Sequence, residues 1–166
     1  VVPMTEPADG AALLRGLLDV LDVRSCGQDE RGQDLFIGES QPQPGGRVFG
    51  GQVLGQALVA AGRTVPSSQG RPERVVHSMH GYFLRPGDSD EPNMYAVERL
   101  RDGRSFSARR VQALQRGAPI LSMIASFHDG DTGLDHQDPM PDVPPPEDLP
   151  TTLDLLGVVD HPVARY

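Results

Sequence analysis

Two adjacent glycines, Gly50 and Gly51, stand where a helical pattern begins. The first turn of a helix presents unpaired backbone N–H groups and the positive end of the helix dipole. Such groups can stabilise an oxyanion that develops on a bound carbonyl. A purely structural interpretation is also open, since glycine permits a tight chain entry, and Gly51 and Gly55 would let the helix lie close against a sheet. No Gly-Lys-Ser or Gly-Lys-Thr follows, which excludes a phosphate-binding P-loop.

Two histidines, His77 and His80, lie three residues apart in a predicted strand. Strand alternation places them on opposite faces, so the pair is a poor metal site and no metal is predicted. His77 can instead border a binding site and donate a hydrogen bond there, or it can be an ordinary, partly buried histidine.

The serines and the single cysteine of the chain do not stand in patterns typical of a catalytic nucleophile. Ser105 and Ser107 follow a predicted hairpin turn, but no aspartate–histidine arrangement accompanies them. Cys26 stands in a polar stretch without a neighbouring histidine, so we do not expect it to be catalytic. Arg85, in the stretch "FLRPG", can bind a phosphate or carboxylate, or it can form a structural ion pair.

The composition narrows the class of protein. The 166 residues suffice for one domain of ordinary size, and the net charge of -8 argues against nucleic acid as a partner. A single cysteine excludes an internal disulfide, and we predict a cytoplasmic protein without a membrane segment or signal peptide. Arginines crowd between positions 99 and 116, and they form either an anion-binding surface or a solvated strand face.

Hydrophobic spacing predicts an α+β domain. A leucine stripe predicts a helix over 11–23, a strand follows at 35–39, and a second helix begins at Gly51. Further strands are predicted at 74–86, 93–103, 104–114 and 119–128, with a hairpin turn at Asp102-Gly103. In the last strand one face is wholly apolar; it consists of Leu121, Met123, Ala125 and Phe127. One long helix can pack against such a run of antiparallel strands.

Four stretches in this order resemble the type II acyl-CoA thioesterases. They are "RVFGGQVLGQAL", "VHSMHGYFLRPGD", "LRDGRSFSARRVQALQRG" and "ILSMIASF". The resemblance implies a hotdog fold, in which a curved antiparallel sheet wraps around a central helix. It also implies hydrolysis of acyl-CoA to free fatty acid and CoA, without a cofactor.

Family members resemble two hotdogs fused in one polypeptide. We therefore predict an N-terminal hotdog domain over 1–128, and over 129–166 an acidic, proline-rich linker with the start of a missing second hotdog. The catalytic aspartate, threonine and glutamine that the resemblance implies belong to that second half. No position of this chain matches them, so we expect the chain alone to be inactive.

Within this half, we predict a substrate-binding role for one set of residues. The set is Gly50, Gly51, Gln52, Phe83, Arg85, Ser105, Phe106 and Ser107, and His77 and Gln52 are candidate contributors to catalysis. A non-catalytic hotdog that binds acyl groups or only assembles is the alternative. Because a lone hotdog exposes a sheet edge, we expect a partner, either a second hotdog half or another copy of the chain.

Overall fold

The computed structural model describes residues 10–67, 73–130 and 133–156. The chain divides into two compact units, Val1–Asp131 and Thr132–Tyr166. The described part of the first unit contains two helices and six strands. In chain order they are α1 (Gly10–Leu21), β1 (Arg24–Gln28), β2 (Asp34–Gly38), α2 (Gly50–Arg63), β3 (Val75–Phe83), β4 (Asn93–Asp102), β5 (Phe106–Gln115) and β6 (Ala118–His128).

The six strands form one antiparallel sheet in the order β1-β2-β4-β5-β6-β3. Helix α2 packs against one face of it, which we call the inner face, and contacts β3, β4, β5 and β6. The opposite face is called the outer face. This arrangement is the hotdog fold that the resemblance implies, and the prediction is confirmed.

Alternation along the strands explains how the sheet and α2 share one core. The predicted apolar face of β6 is buried on the inner face, as its hydrophobic spacing requires. Helix α2 buries a single stripe against it, and small residues allow a close approach. The buried positions of α2 are Gln52, Val53, Gln56, Ala57, Ala60 and Ala61.

A buried polar network ties α2 to the sheet. The amide oxygen of Gln56 accepts hydrogen bonds from Tyr95 Oη at 2.6 Å and from Asn93 Nδ2 at 3.3 Å. Its amide nitrogen donates to the carbonyls of Val20 and Glu39. Burial raises the pKa of the Tyr95 phenol, so this hydroxyl stays protonated and keeps donating.

The packing interpretation of Gly51 and Gly55 is wrong. Gly51 is exposed, and the nearest atoms to a Cβ there would be those of the Phe49 ring. A Cβ at Gly55 would meet a methyl group of Leu21 on α1, because this side of α2 faces the first helix and not the sheet. The helix instead approaches the sheet through its buried alanines.

Two other features depart from the sequence pattern. The pattern gave no signal for β1, since it is short, polar and fully exposed, with a register shift between Ser25 and Gly27. The leucine stripe of α1 remains largely exposed, because α1 packs on α2 through its C-terminal end. The exposed members are Leu13, Leu14, Leu17 and Leu18.

The described part of the second unit is short. It holds a 3-10 turn at Pro146–Asp148 and a helix, α3 (Thr152–Leu156). The hydroxyl and amide of Thr151 donate to Asp154, and these bonds lower the pKa of that carboxyl. The interpretation of 129–166 as a linker leading to a second hotdog stays a prediction. Across the described residues, no helix combines the length and the hydropathy that crossing a membrane requires.

Candidate functional site

A pocket of about 360 Å³ opens at the N-terminal end of α2, and we call it the α2 pocket. Three chain segments build its wall: residues 47–48 before the helix, Gly50 and Val53 of the helix, and residues 83–87 at the end of β3. Ile120 of β6 also lines the pocket. The structure therefore brings together Gly50, Phe83 and Arg85 from the predicted substrate-binding set.

The start of α2 presents backbone amides without a side-chain cap. Phe49 precedes the helix in an extended conformation and forms no side-chain capping bond. The first helical hydrogen bonds run from the amides of Gln52 and Val53 to the Phe49 carbonyl, so the Gly50 and Gly51 amides precede them. Such amides can hold the oxygen of a polarised carbonyl. The first turn contains no acidic residue that could act as a base.

Both charged residues that line the α2 pocket are arginines, Arg47 and Arg85. Arg85 is exposed, and its Nη1 donates to the Pro119 carbonyl at 2.7 Å, which fixes one side of the guanidinium. The remaining N–H groups can bind a phosphate or a carboxylate. Sequence reasoning missed Arg47, although a basic residue shortly before a helix start is a readable signal for an anion site.

Aromatic rings flank the glycine pair. A Cβ placed on Gly50 would lie 3.0 Å from the Phe83 ring, and one on Gly51 would lie 2.5 Å from the Phe49 ring. Both phenylalanines are more than half exposed, Phe49 at 66% and Phe83 at 59%. The glycines thus leave room for two apolar side chains at the start of α2, of which Phe83 lines the α2 pocket.

Gln52 does not point into the α2 pocket. Its side chain is buried, its Nε2 donates to the Glu39 carbonyl at 2.9 Å, and its Oε1 accepts from the Gln41 amide. The amide is therefore used to hold the segment after β2 against the helix. Nothing in this geometry favours the predicted catalytic contribution of Gln52.

Ser105 and Ser107 lie near the β4–β5 hairpin, away from the start of α2. Ser107 is buried on the inner face, where it accepts a hydrogen bond from Arg74 and donates to Asp102 Oδ1 at 2.7 Å. Ser105 accepts a backbone bond from Asp129 at 3.4 Å. The structure therefore does not bring these serines to the residues of the α2 pocket.

A fully buried arginine, Arg109, organises this second cluster. Its guanidinium donates to Thr64 Oγ1 and to the Thr64 carbonyl at the end of α2, and it forms an ion pair with Asp102 at 2.7 Å. Burial acts to raise the pKa of Asp102, but the bonds from Ser107 and Arg109 outweigh it and lower that pKa. The cluster explains Ser107 as a structural residue.

His77 lies on the outer face of the sheet, and the predicted separation from His80 is wrong. A bulge between Val76 and Ser78 inserts one residue, so strand alternation fails at this point. His77 Nε2 lies 2.9 Å from Ser126 Oγ, and its ring packs edge-on against Phe106 and His128. His77 and Phe106 are thus neighbours, but both are remote from the inner-face residues.

The arginine-rich stretch is mostly neutralised within the sheet. Besides Arg109, three arginines of the stretch form ion pairs: Arg99 with Asp34, Arg110 with Glu98, and Arg116 with both Asp88 and Glu91. The bond from Arg99 lowers the pKa of Asp34. The solvated strand face is therefore the better description of these arginines. In the described part of the chain, no group of three or more His, Cys, Asp or Glu residues is placed to hold a metal ion.

Comparison with known proteins adds the family context. Residues 39–128 match the model of the acyl-CoA thioesterase N-terminal domain. Human acyl-coenzyme A thioesterase 8 is 48% identical over 130 residues, which cover 78% of this chain and 38% of that protein. Acyl-CoA thioesterase 2 of Haemophilus influenzae is 48% identical over 115 residues, covering 69% of this chain and 38% of the relative.

A solved structure gives the same picture. The acyl-CoA thioesterase II TesB2 from Mycobacterium marinum superposes with a TM-score of 0.63 at 46% identity, covering 79% of this chain and 45% of that one. The chain therefore spans less than half the length of these three relatives. The matched region includes every residue that lines the α2 pocket.

Proposed function

The chain belongs to the acyl-CoA thioesterase family, and we propose that it is the N-terminal hotdog of a longer enzyme that hydrolyses acyl-CoA to free fatty acid and CoA. The observation that carries this proposal is the match of 39–128 to the family's N-terminal domain, which contains the whole α2 pocket. The chain covers only 38% of the length of each of these two relatives. This coverage supports a longer enzyme whose second half lies outside the present chain.

The α2 pocket has the chemistry that an acyl-CoA thioester requires. The Gly50 and Gly51 amides can hold the thioester oxygen as negative charge develops on it. Phe83 offers an apolar contact beside this point, and Arg47 and Arg85 offer cations for the phosphates of CoA. Of the predicted binding residues, we retain Gly50, Gly51, Phe83 and Arg85 for this role.

Hydrolysis also needs a general base, which the α2 pocket lacks. In the proposed reaction, a carboxylate orients a water molecule that attacks the thioester carbonyl, and CoA leaves as the thiol. Because the first turn of α2 carries no acid, we assign that carboxylate to the second half of the enzyme. The same observation favours one alternative function, a hotdog that binds acyl groups or assembles without catalysing hydrolysis.

Strand β3 supports a partner hotdog. Among the strands that the structure describes, it lies at one end of the sheet, pairs only with β6, and exposes residues on both of its faces. An unprotected edge of this kind offers a row of backbone groups for pairing with another strand. We propose that β3 pairs with the corresponding strand of a second hotdog half or of another copy. The predicted cytoplasmic location stays a prediction.

The test is an acyl-CoA hydrolysis assay on the protein made from the complete reading frame. We expect CoA release that falls about tenfold or more in kcat/KM when Arg85 is replaced by Ala, because a charged contact to CoA is lost. Arg104→Ala is the matched control, since Arg104 is an exposed arginine outside the pocket. No CoA release from acyl-CoA of any chain length would reject the enzyme and leave the binding or assembly function.

A further inference from the structure

The wall of the α2 pocket that contains Arg85, Pro86 and Gly87 belongs to the connection between β3 and β4. We call residues 84–92 the pocket loop. Its beginning is fixed by the sheet, since the amides of Leu84 and Arg85 both donate to the Ile120 carbonyl. Its second half has no such bond to the backbone of β6 and is held by backbone bonds to the segment before α2 and by side chains, among them the Ser40 hydroxyl, which donates to the Glu91 carbonyl at 2.7 Å.

The buried side chain that bonds to both Asp88 and Glu91 is Gln115, the last residue of β5, which is 8% exposed. Its Oε1 accepts from the Asp88 amide at 2.7 Å. Its Nε2 lies within hydrogen-bond distance of the Asp88 carbonyl at 2.8 Å, the Glu91 carbonyl at 3.1 Å and Asn93 Oδ1 at 3.0 Å. One buried amide group therefore forms hydrogen bonds with Asp88 and with Glu91, near the two ends of the second half of the pocket loop.

The pocket loop in turn holds the chain that enters α2. The Val48 amide donates to the Gly87 carbonyl, and the Ser89 amide donates to the Gly46 carbonyl, both at 3.0 Å. The fit is tight, because a Cβ on Gly87 would lie 2.5 Å from Val48 and 3.2 Å from Gln115 Oε1. Movement of the pocket loop would therefore also move Arg47 and Val48 on the facing wall.

We propose that Gln115 is a positioning residue that sets the width of the α2 pocket and so determines how tightly acyl-CoA binds. It touches no substrate and acts only through the pocket loop. This inference rests on the proposed function, because it assigns Gln115 a role in the same pocket.

The neighbouring residue offers a matched comparison. Arg116 also binds the pocket loop, through ion pairs to Asp88 and Glu91, but its side chain is 67% exposed. Exposed ion pairs contribute little, whereas a buried amide that loses its partners is costly. Arg116 also has φ of 50°, and it is followed by Gly117 with φ of 75°. Asn suits this turn conformation better than Arg, so Arg116→Asn removes the ion pairs without straining the turn.

The test combines two measurements on Gln115→Met, Gln115→Glu and Arg116→Asn. Amide hydrogen exchange is followed in the 166-residue chain, and KM and kcat are measured in the protein from the complete reading frame. We expect residues 87–91 to exchange about fivefold faster or more in both Gln115 variants, with unchanged exchange in β5 and β6. We expect KM to rise by a similar factor while kcat stays within about twofold, and Arg116→Asn to change neither.

Gln56→Met controls for a loss of stability alone, since Gln56 is a buried amide that makes no bond to the pocket loop. It should lower the thermal midpoint without changing KM. The proposal is overturned if exchange at 87–91 is unchanged, if exchange rises but KM does not, or if Gln56→Met raises KM equally.

Should Gln115→Met not fold, Gln115→Glu decides, because it keeps the side-chain shape and the acceptor for Asp88. A wild-type protein without hydrolysis would reject the proposed function, while the exchange data would still decide whether Gln115 holds the pocket loop.

Discussion

At the residue scale, the glycines of the first unit differ in what a side chain would meet. A Cβ on Gly38 would lie 2.8 to 2.9 Å from the amide group of Gln56, which the buried network holds in place. A Cβ on Gly51 would lie closest to the exposed ring of Phe49, which has room to rotate away. The effect of an alanine substitution on the free energy of unfolding therefore depends on whether the neighbouring side chain can move.

We expect Gly38→Ala to lower the free energy of unfolding by about 2 kcal/mol, because overpacking displaces a fixed side chain. Gly51→Ala should instead raise it by up to about 1 kcal/mol, since alanine favours the helix. Urea denaturation of both variants measures the two values. Equal destabilisation by the two substitutions would contradict this explanation.

The Asp102–Arg109 pair makes stability depend on pH. We expect Asp102→Asn to destabilise the fold by about 1 to 2 kcal/mol at pH 7, because the fully buried guanidinium of Arg109 loses its counterion, while solvent weakens a pair whose carboxylate is 34% exposed. The folded state lowers the pKa of Asp102, so the stabilisation is present above the ordinary carboxyl pKa and is lost as pH falls through the folded value. Thermal midpoints of wild type and variant should therefore converge in acid. A difference that is constant down to pH 2 would show that the charge of Asp102 is not responsible.

At the element scale, β3 is one of the two edge strands of the sheet, together with β1, and the described chain leaves one side of it unpaired. Met79, on its inner face, is 47% exposed. We expect Met79→Lys to leave the chain folded and to convert an oligomer into a monomer in light scattering, because a charge would be buried at the proposed interface. Met94→Lys, on a central strand, is the control and should leave the oligomer intact. A wild-type chain that is already a monodisperse monomer would contradict the pairing of β3 with another copy.

Hydrophobic spacing predicted β5, β6 and α2 because each buries one side along its length. It also predicted β3, although none of the residues of that strand is buried. The face of β6 that includes Leu121 and Phe127 is the clearest case. Strand β1 was not predicted because it buries no side chain, and a polar, exposed strand shows no hydrophobic periodicity. Helix α1 was predicted from its leucines although they stay exposed. Hydrophobic spacing identifies an apolar stripe on a helix but does not show which part of the protein covers it.

The candidate site was predictable only in part, for a related reason. Gly50, Phe83 and Arg85 were found from motifs that border the start of α2, and the structure brings them together. The predicted positions of Gln52 and His77 were wrong. The Gln52 side chain is turned away from the pocket by a buried hydrogen bond, and His77 is placed on the outer face by a bulge. Gln115 had no sequence signal, since a glutamine at the end of a strand is ordinary until its bonds to a distant loop are seen.

At the scale of the whole molecule, the central claim is that this chain supplies a pocket but not the base for hydrolysis. The α2 pocket contains amides, an aromatic ring and two arginines, and its helix start has no acid. A chain of this kind should bind acyl-CoA and fail to turn it over. The exposed edge of β3 is the place where we propose that a second hotdog half joins.

The most direct test is CoA release by the isolated 166-residue chain, measured at the same molar concentration as the protein from the complete reading frame. We predict no release above the buffer rate from the isolated chain and clear turnover by the complete protein. Turnover by the isolated chain at a comparable rate would contradict the claim, because it would place a complete catalytic site within these residues.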